Sequence, residues 1–346
     1  MLDNKTKKLL YYIRLNPFVS SKEIHTNALS DVGYSTVKRL ISSLIIHGLI
    51  KQQGIGKASR YQISPTHTLL VPIDIDEYFS REIDERKINE TYNFALISDI
   101  LPKVNLFSTE EMLQLNQWQQ KFNQAVSVLS KTEYLKNMEH LAIDLSWKSS
   151  QIEGNTYSLL ETERLLKERE TAEGKTKEEA GMLLNHKVAL DFILQEPDYL
   201  KTVSVSKIKS INSLLINELG VDKNIRKRKV GITGTNYRPL DNEFQIREAL
   251  NDMCELVNHR ENIFEKALLS LLLLSYIQAF NDGNKRTARI VCNALLLANG
   301  YCPLSFRTVS SIDYKKAMLL FYEQNNLLAF KQIFLDQFRF AVETYF

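Results

Sequence analysis

The amino-acid sequence predicts a mainly α-helical fold made of a small N-terminal domain and a larger helical domain. Apolar residues recur at helical spacing along most of the chain, and the β-like runs are short. Two strongly apolar segments, 263–277 and 290–297, flank a short polar turn that contains a glycine. With 346 residues, the chain is long enough for two or three domains with buried cores.

Composition and charge exclude several classes of protein. Lys and Arg number 44 against 41 Asp and Glu, so no overall field directs the chain to nucleic acid or to a membrane. No apolar run is long enough to span a bilayer, and Met1 is followed by charged residues rather than by a signal segment. Cys254, Cys292 and Cys302 lie apart in apolar contexts, which predicts buried free thiols. We therefore expect a soluble cytoplasmic protein without membrane contact.

The first domain, residues 1–66, is predicted as three helices followed by a β-hairpin. Helical spacing over 5–16, 22–28 and 35–44 precedes two β-like runs, 49–52 and 59–63. This layout resembles the winged helix-turn-helix family. The resemblance implies contacts with duplex DNA from the third helix and the wing, through Ser35, Thr36, Lys38, Arg39, Lys57 and Arg60. A winged helix that binds protein is the alternative.

A connector, residues 67–107, is predicted next. Pro65 and Pro72 bracket an extended entry into it, and the mixture of polar and apolar residues indicates an ordered segment. From Ser108 the chain is predicted to be helical to its end, with helices over 109–124, 138–150, 161–170, 178–194, 206–219, 247–258, 310–322 and 327–344 in addition to the two apolar segments.

The polar turn is the strongest functional signal. A helix that starts near Asn284 would turn its free N–H groups and positive dipole end toward the turn, which favours phosphate. Gly283 allows close approach of a ligand, and Asp282 supplies an oxygen ligand that Mg²⁺ prefers. Arg286 and Arg289 lie three apart on one helix face. A helix end followed by solvated cations is the alternative.

This turn resembles the signature of the Fic family, His-Pro-Phe-x-Asp/Glu-Gly-Asn-Gly/Lys-Arg-x-x-Arg, at Phe280, Asp282, Gly283, Asn284, Lys285, Arg286 and Arg289. The resemblance implies an all-helical Fic domain over 108–346 with a small β-hairpin flap. It also implies transfer of AMP from ATP to a hydroxyl of a target protein, or of the chain itself. Asp282 would hold Mg²⁺. The anion-binding nest would be formed by Gly283, Asn284 and Lys285, and the outer phosphates would be contacted by Arg286 and Arg289.

Two further segments extend the resemblance. Ser149, Glu153 and Gly154 match the family's inhibitory motif, Ser/Thr-x-x-x-Glu-Gly/Asn, which implies that Glu153 pairs with Arg289 and displaces the γ-phosphate. An ordinary polar helix end is the alternative. The segment Lys229, Val230, Gly231 and Ile232 resembles the flap, a hairpin that holds a target segment by strand addition, and a plain surface hairpin is its alternative.

One departure concerns the chemistry. Gln278 stands at the position of the family's catalytic histidine, and Ala279 at that of its proline. A glutamine amide cannot accept a proton, and loss of a general base costs about 10²–10⁴-fold in rate. The hypotheses are an autoinhibited, weakened adenylyltransferase and an inactive, nucleotide-sensing transcriptional regulator. Transfer of another phosphate-linked group is a third hypothesis, and a homodimer is left open.

Overall fold

The computed structural model describes residues 4–46 and 48–346, so Met1 to Asp3 and His47 lie outside the described residues. The chain divides into two compact units, residues 1–72 and 73–346.

The first unit contains three helices followed by an antiparallel hairpin. The elements are α1 (Asn4–Leu15), α2 (Ser21–Ala28), α3 (Tyr34–Ile46), β1 (Ile50–Gln53) and β2 (Arg60–Ile63), with Ile50 opposite Ile63. The helices bury Leu9, Ile24 and Val37 in a common core. This element order agrees with the prediction, and its identification as a winged helix stays a prediction.

A short helix, α4 (Pro65–Leu70), corrects the expectation of an extended entry after Pro65. The Ser64 side chain accepts a hydrogen bond from the His67 amide at 3.2 Å and so caps the helix. Proline suits the first helical position, because the N–H group that it lacks would have no helical partner there.

The second unit is helical, as predicted. Its helices are α5 (Ile75–Phe79), α6 (Thr109–Val128), α7 (Lys131–Ile152), α8 (Leu159–Glu168), α9 (Lys177–Gln195), α10 (Val205–Leu215), α11 (Glu243–His259), α12 (Ile263–Ile277), α13 (Asn284–Ala298), α14 (Ser311–Gln324) and α15 (Leu328–Tyr345). Residues 73–107, predicted as part of a connector, belong to this compact unit.

Helix α12 forms the centre of the second unit. Thirteen of its 15 residues are buried, as expected of a helix that is apolar on all sides. Helices α11 and α13 pack against it, and α9 and α10 pack against α13. The polar turn between α12 and α13 therefore rests on the best-packed part of the unit.

Residues 225–240, here called the flap segment, correct the predicted hairpin flap. Within the described residues this segment forms no strand ladder, and its extended pairings are isolated bridges from Ile225 to Phe280 and from Arg238 to Thr91. The Arg226 amide donates to the Ala279 carbonyl at 3.0 Å, and the Arg238 amide donates to the Glu90 carbonyl at 2.7 Å. Because these backbone groups bond to neighbouring segments, they are not available to pair with each other.

Two predictions from composition also concern the fold. All three cysteines are buried and free, which confirms the prediction of unpaired thiols. Over the ranges 4–46 and 48–346, no helix has the length and apolar character needed to cross a bilayer.

Candidate functional site

The candidate site is built on the turn between α12 and α13. Helix α12 ends at Ile277, and the next residue, Gln278, is left-handed with a φ of 52°. Gly283, directly before α13, is also left-handed with a φ of 76°. A Cβ atom at Gly283 would lie 3.1 Å from both Asn212 Nδ2 and Ile216 Cγ2. The turn therefore needs glycine here for its conformation and for its close packing.

Two asparagines hold the turn in one conformation. The Asn284 side chain accepts from the Phe280 amide at 2.8 Å and donates to the Phe280 carbonyl at 2.7 Å. Asn212 Nδ2 donates to the Asp282 carbonyl at 3.0 Å and to Thr287 Oγ1 at 3.1 Å. Phe280 is itself buried. The turn is thus ordered before any ligand binds.

The N-terminus of α13 faces this turn without a capping side chain from the described residues. Helices α6, α7 and α9, in contrast, begin with capping boxes at Ser108, Ser130 and Thr176. No acidic residue lies in the first turn of α13. The free N–H groups and the positive dipole end are therefore available to an anion.

Asp282 fits the requirements of a magnesium ligand. Its Oδ1 atom accepts from the Gly283 amide at 2.6 Å, its Oδ2 atom pairs with Arg286 Nη2 at 2.9 Å, and its side chain is 51% exposed. No cluster of three acidic, histidine or cysteine side chains occurs in the part of the chain that the structure describes. A single carboxylate suits Mg²⁺ that takes other ligands from phosphates and water.

Arg289 bonds to the end of α7 through two of its three guanidinium nitrogens. Its Nε donates to Ser149 Oγ at 2.8 Å, and its Nη2 donates to the Ser149 carbonyl at 2.9 Å and to Glu153 Oε1 at 3.0 Å. The guanidinium lies 5.3 Å from the centre of the Tyr314 ring. Its Nη1 atom is buried and has no hydrogen-bond partner among the described residues. That donor is unused in this arrangement.

Glu153 follows the last residue of α7, and Gly154 after it has a φ of 100°. A carboxylate at the C-terminal end of a helix is disfavoured by the dipole, so its position depends on nearby cations. Lys285 Nζ lies 3.5 Å from Glu153 Oε2, beside the Arg289 contact. Burial raises the pKa of Glu153, but Arg289 and Lys285 outweigh this effect and hold the pKa below its ordinary value. The Glu153 carboxylate is therefore ionised at neutral pH.

A cavity of about 520 Å³ lies beside these charges. Glu153, Lys285 and Gln278 line its polar side, and the remaining wall is formed by Ile152, Gly231, Ile232, Thr233, Gly234, Tyr314, Lys315, Met318, Leu319 and Tyr322. Its volume is within the roughly 300–1,000 Å³ typical of small-molecule sites. A larger cavity of about 640 Å³ lies next to Leu256 and His259. We assign the site to the smaller cavity because it adjoins the ordered turn and the cations.

Gln278 lines the cavity, and its backbone and side chain are both held in place. Its Nε2 atom donates to the Ser275 carbonyl at 2.7 Å, and its own carbonyl accepts from Arg226 Nε at 2.5 Å. Burial raises the pKa of the neighbouring Tyr322 well above its ordinary value, so this phenol is not a base at neutral pH. Histidine does not occur among the described residues that line the cavity.

The structure separates the predicted nucleotide-binding residues into two groups. Lys285 lines the cavity, whereas Asn284, Arg286 and Arg289 are buried next to it and hold the turn and α7 in place. Arg286 donates to the Leu215 carbonyl at 3.3 Å in addition to its contact with Asp282.

Of the four predicted flap residues, Gly231 and Ile232 line the cavity, but Lys229 and Val230 do not. Lys229 instead pairs at the surface with Asp241 at 3.3 Å. Sequence reasoning missed Asn212 and Arg226. Each acts on the turn from more than fifty positions away, and no local motif marks either residue.

The predicted DNA-binding residues lie on the first unit. Ser35, Lys38 and Arg39 are exposed on α3, whereas Thr36 is half-buried. A cavity of about 670 Å³ is lined by residues of α2, α3 and the hairpin, including Lys22, Lys38, Ser42, Lys57 and Arg60. Residues 1–72 contain ten Lys and Arg and three Asp and Glu. The first unit is therefore basic although the whole chain is nearly balanced.

Residues 202–296 match the model of the Fic/DOC family. The chain is 28% identical over 237 residues to the protein adenylyltransferase Fic of Nematostella vectensis, covering 62% of this chain and 51% of that protein. It is 24% identical over 172 residues to the protein adenylyltransferase fic-1 of Caenorhabditis elegans, covering 47% of this chain and 33% of that protein. The alignments thus span about a third to a half of the length of these relatives.

Solved structures show the same fold. A Fic-1 fragment from Caenorhabditis elegans superposes with a TM-score of 0.59 at 20% identity, covering 68% of this chain and 72% of that chain. A Fic-domain-containing signalling protein from Bacteroides thetaiotaomicron superposes with a TM-score of 0.57 at 19% identity, covering 67% of this chain and 95% of that chain. The helical core around α12 and α13 therefore has the Fic fold.

Proposed function

We propose that this chain, which carries a Fic/DOC family domain, is an ATP-binding protein adenylyltransferase that Glu153 holds in an inhibited state. It transfers AMP to a hydroxyl side chain of a target protein or of the chain itself. The observation that carries the proposal is the Glu153 carboxylate bound to Arg289 and Lys285 beside an uncapped helix N-terminus. A phosphate would take the place of that carboxylate.

In this proposal the phosphates of ATP bind the amides at the start of α13 and the side chain of Lys285. Arg289 contacts the outer phosphate once Glu153 withdraws, and its unused Nη1 donor adds to that contact. Asp282 would hold Mg²⁺, which would supply positive charge to neutralise the phosphate oxygens. The base and ribose lie along the part of the cavity wall that contains Ile232, Met318 and Leu319.

The reaction forms a bond between the acceptor hydroxyl oxygen and the α-phosphorus. The bond from that phosphorus to the bridging oxygen of the β-phosphate breaks, and pyrophosphate leaves. The hydroxyl proton must pass to a base, and Gln278 cannot accept it. We therefore expect that a chain with Gln278 transfers AMP about 10²–10⁴-fold more slowly than one with histidine at this position, even when Glu153 is replaced.

Gln278 also favours a second function, that of an inactive regulator that senses nucleotide. Incorporation of label from ATP, measured for the parent chain, Glu153→Gly, Gln278→His and the double variant, separates the two functions. The adenylyltransferase proposal predicts that the double variant exceeds either single variant. A Glu153→Gly rate equal to that of the double variant would mean that another group is the base. Absence of transfer from the parent chain and from Glu153→Gly, which both keep Gln278, would favour the regulator, because Gln278→His itself supplies the missing base.

Duplex DNA is the proposed ligand of the first unit. The excess of basic residues in 1–72 and the exposed cations on α3 and the hairpin support this proposal. In fluorescence anisotropy on the full chain, replacing Lys38 and Arg39 with alanine should lower the salt-dependence slope by about 2. Replacing the exposed Lys121 and Lys136 with alanine is the control. No binding at low salt would indicate a protein partner instead.

A further inference from the structure

Residues 75–93, here called the strap, connect α14 to the flap segment. Arg86 Nη1 donates to both carboxylate oxygens of Glu323, at 3.1 and 3.2 Å. Tyr78 Oη donates to the same carboxylate at 2.6 Å, and the Asn89 amide donates to the Glu323 carbonyl at 2.8 Å. The Arg86 and Glu323 side chains are 4% and 1% exposed. The strap is thus fixed to α14 by a buried ion pair.

The same guanidinium also reaches the flap segment. Arg86 Nη2 donates to the Gly234 carbonyl at 2.8 Å, and Asn236 Nδ2 donates to Asp84 Oδ1 at 2.8 Å. For residues 231–236, these are the two hydrogen bonds to other segments found among the described residues. In both hydrogen bonds the partner of the flap segment is a residue of the strap, Arg86 or Asp84. Residues 231–234 form one wall of the nucleotide cavity, so the strap supports that wall.

Other contacts hold the flap segment at its two ends. Arg226 bonds to the Gln278 carbonyl near one end. Near the other end, Tyr237 stacks on Tyr276 with ring centres 4.8 Å apart and donates to the Tyr276 carbonyl at 3.2 Å. Both anchors are buried. The middle of the segment therefore depends on Arg86 and Asp84 for its position over the cavity.

The chemistry of Arg86 suits a role in positioning. A buried ion pair offsets its desolvation cost only if its geometry is good. Because the guanidinium is planar and rigid, one of its nitrogens can donate to a carboxylate while another donates to a backbone carbonyl. Lysine at this position would keep the charge opposite Glu323 but would lack the fixed second arm directed at Gly234. The contact with the flap segment can therefore be removed without leaving Glu323 unpaired.

We propose that Arg86 is a positioning residue that sets the flap segment against the base and sugar of a bound nucleotide, away from its phosphates. The proposal rests on the proposed function for the identity of the ligand. Lys285 and Arg289, which would contact the phosphates, both lie on α13. The hydrogen bond from Arg86 to the Gly234 carbonyl does not involve this helix. Loss of the Arg86 contact should thus affect nucleoside binding but not phosphate binding.

The test compares Arg86→Lys with Arg260→Lys. Arg260 is a matched control because it also pairs with a buried carboxylate, Glu265, at 3.0 Å and donates to a backbone carbonyl, that of Leu101, away from the cavity. The first measurement is the initial rate of trypsin cleavage after the exposed Lys227, Arg228 and Lys229, identified by mass spectrometry. Arg86→Lys should raise this rate about 10- to 100-fold, since a charge-assisted hydrogen bond is lost and cleavage follows the open population.

The second measurement is calorimetric titration in the Glu153→Gly background with ATP and with inorganic triphosphate. Arg86→Lys should weaken ATP binding about tenfold or more, because the loss of one charge-assisted hydrogen bond favours the open flap. Binding of triphosphate should not change, and Arg260→Lys should change neither affinity. Equal weakening of ATP and triphosphate would overturn the proposal, as would cleavage that is unchanged or is raised equally by the control.

The two proposals fail in different ways. If neither ATP nor triphosphate binds the Glu153→Gly protein, the proposed function fails, and the cleavage rates still decide the role of Arg86. If Arg86→Lys does not fold, Asp84→Ala replaces it, because Asp84 is exposed and its loss leaves the buried pair intact. We then expect cleavage about 2- to 10-fold faster than in the parent chain, because one ordinary hydrogen bond to Asn236 is lost. An unchanged cleavage rate would overturn the proposal.

Discussion

Replacement of Glu153 by glycine should strengthen ATP binding, because it frees Arg289. The Glu153 carboxylate accepts a charge-assisted hydrogen bond from Arg289 at 3.0 Å and lies 3.5 Å from the ammonium of Lys285. An incoming phosphate must displace both contacts. The variant removes this competition, and it also removes a negative charge that repels the phosphates.

The magnitude follows from these two contacts. A hydrogen bond to a charged group contributes about 1.5–3 kcal/mol, and a partly exposed ion pair such as that with Lys285 adds about 0–1 kcal/mol. Their sum, about 1.5–4 kcal/mol, corresponds to a Kd for ATP lowered by about 10- to 900-fold. Arg289 is fully buried, so solvent does not reduce the first contribution.

The assay is isothermal titration calorimetry with ATP and Mg²⁺ on the parent chain and on Glu153→Gly. Glu168→Gly is the matched control, because Glu168 ends helix α8 and pairs only with the exposed Arg164 among the described residues. The control should bind as the parent does. Equal Kd values for the parent and for Glu153→Gly would refute the inference that this carboxylate occupies a phosphate position.

Three further predictions follow from single residues. Arg289→Ala in the Glu153→Gly background should weaken ATP binding about tenfold or more in the same titration, since a charge-assisted contact is lost. An unchanged Kd would mean that Arg289 does not contact ATP. Gly283→Ala should lower the free energy of unfolding by about 1–2 kcal/mol, because φ is positive at this position and alanine would be strained there. An unchanged urea midpoint of unfolding would show that alanine is not strained at this position. Burial and the charge of Arg14 lower the pKa of His67 to about 4. The unfolded state therefore binds the proton more readily, and stability should fall by up to about 3 kcal/mol between pH 6.5 and 4. Melting of His67→Gln should lose this pH dependence, whereas the exposed His259→Gln control should keep it.

Local sequence signals predicted most of the fold. The capping residue Ser108 bonds within three positions of itself, and helical spacing identifies the buried faces. The same signal at Ser130 was missed, and α7 begins at Lys131 rather than at the predicted residue 138. The polar turn could be found in the same way, because its residues are contiguous and their arrangement depends on two helices that the sequence marks clearly.

Contacts between distant segments could be predicted only where a family motif implied them, as for Glu153 and Arg289, which lie 136 positions apart. The other long-range contacts of the site could not. The pairs Arg86–Glu323 and Arg226–Gln278 join residues 237 and 52 positions apart, and neither has a local signature. The same limitation explains the error at the flap. The residues Lys229 to Ile232 have β-like character, but neighbouring segments supply the backbone partners of the flap segment at Arg226 and Arg238.

The most direct test of the central claim uses the Glu153→Gly, Gln278→His double variant with ATP labelled at either the α- or the γ-phosphate. An adenylyltransferase adds label from the α position to protein hydroxyl groups and releases the γ label with pyrophosphate. We predict protein-bound label from α-labelled ATP alone, at a rate above that of either single variant. Label from the γ position would identify a different phosphate-transfer reaction, and no label from either position would contradict the account.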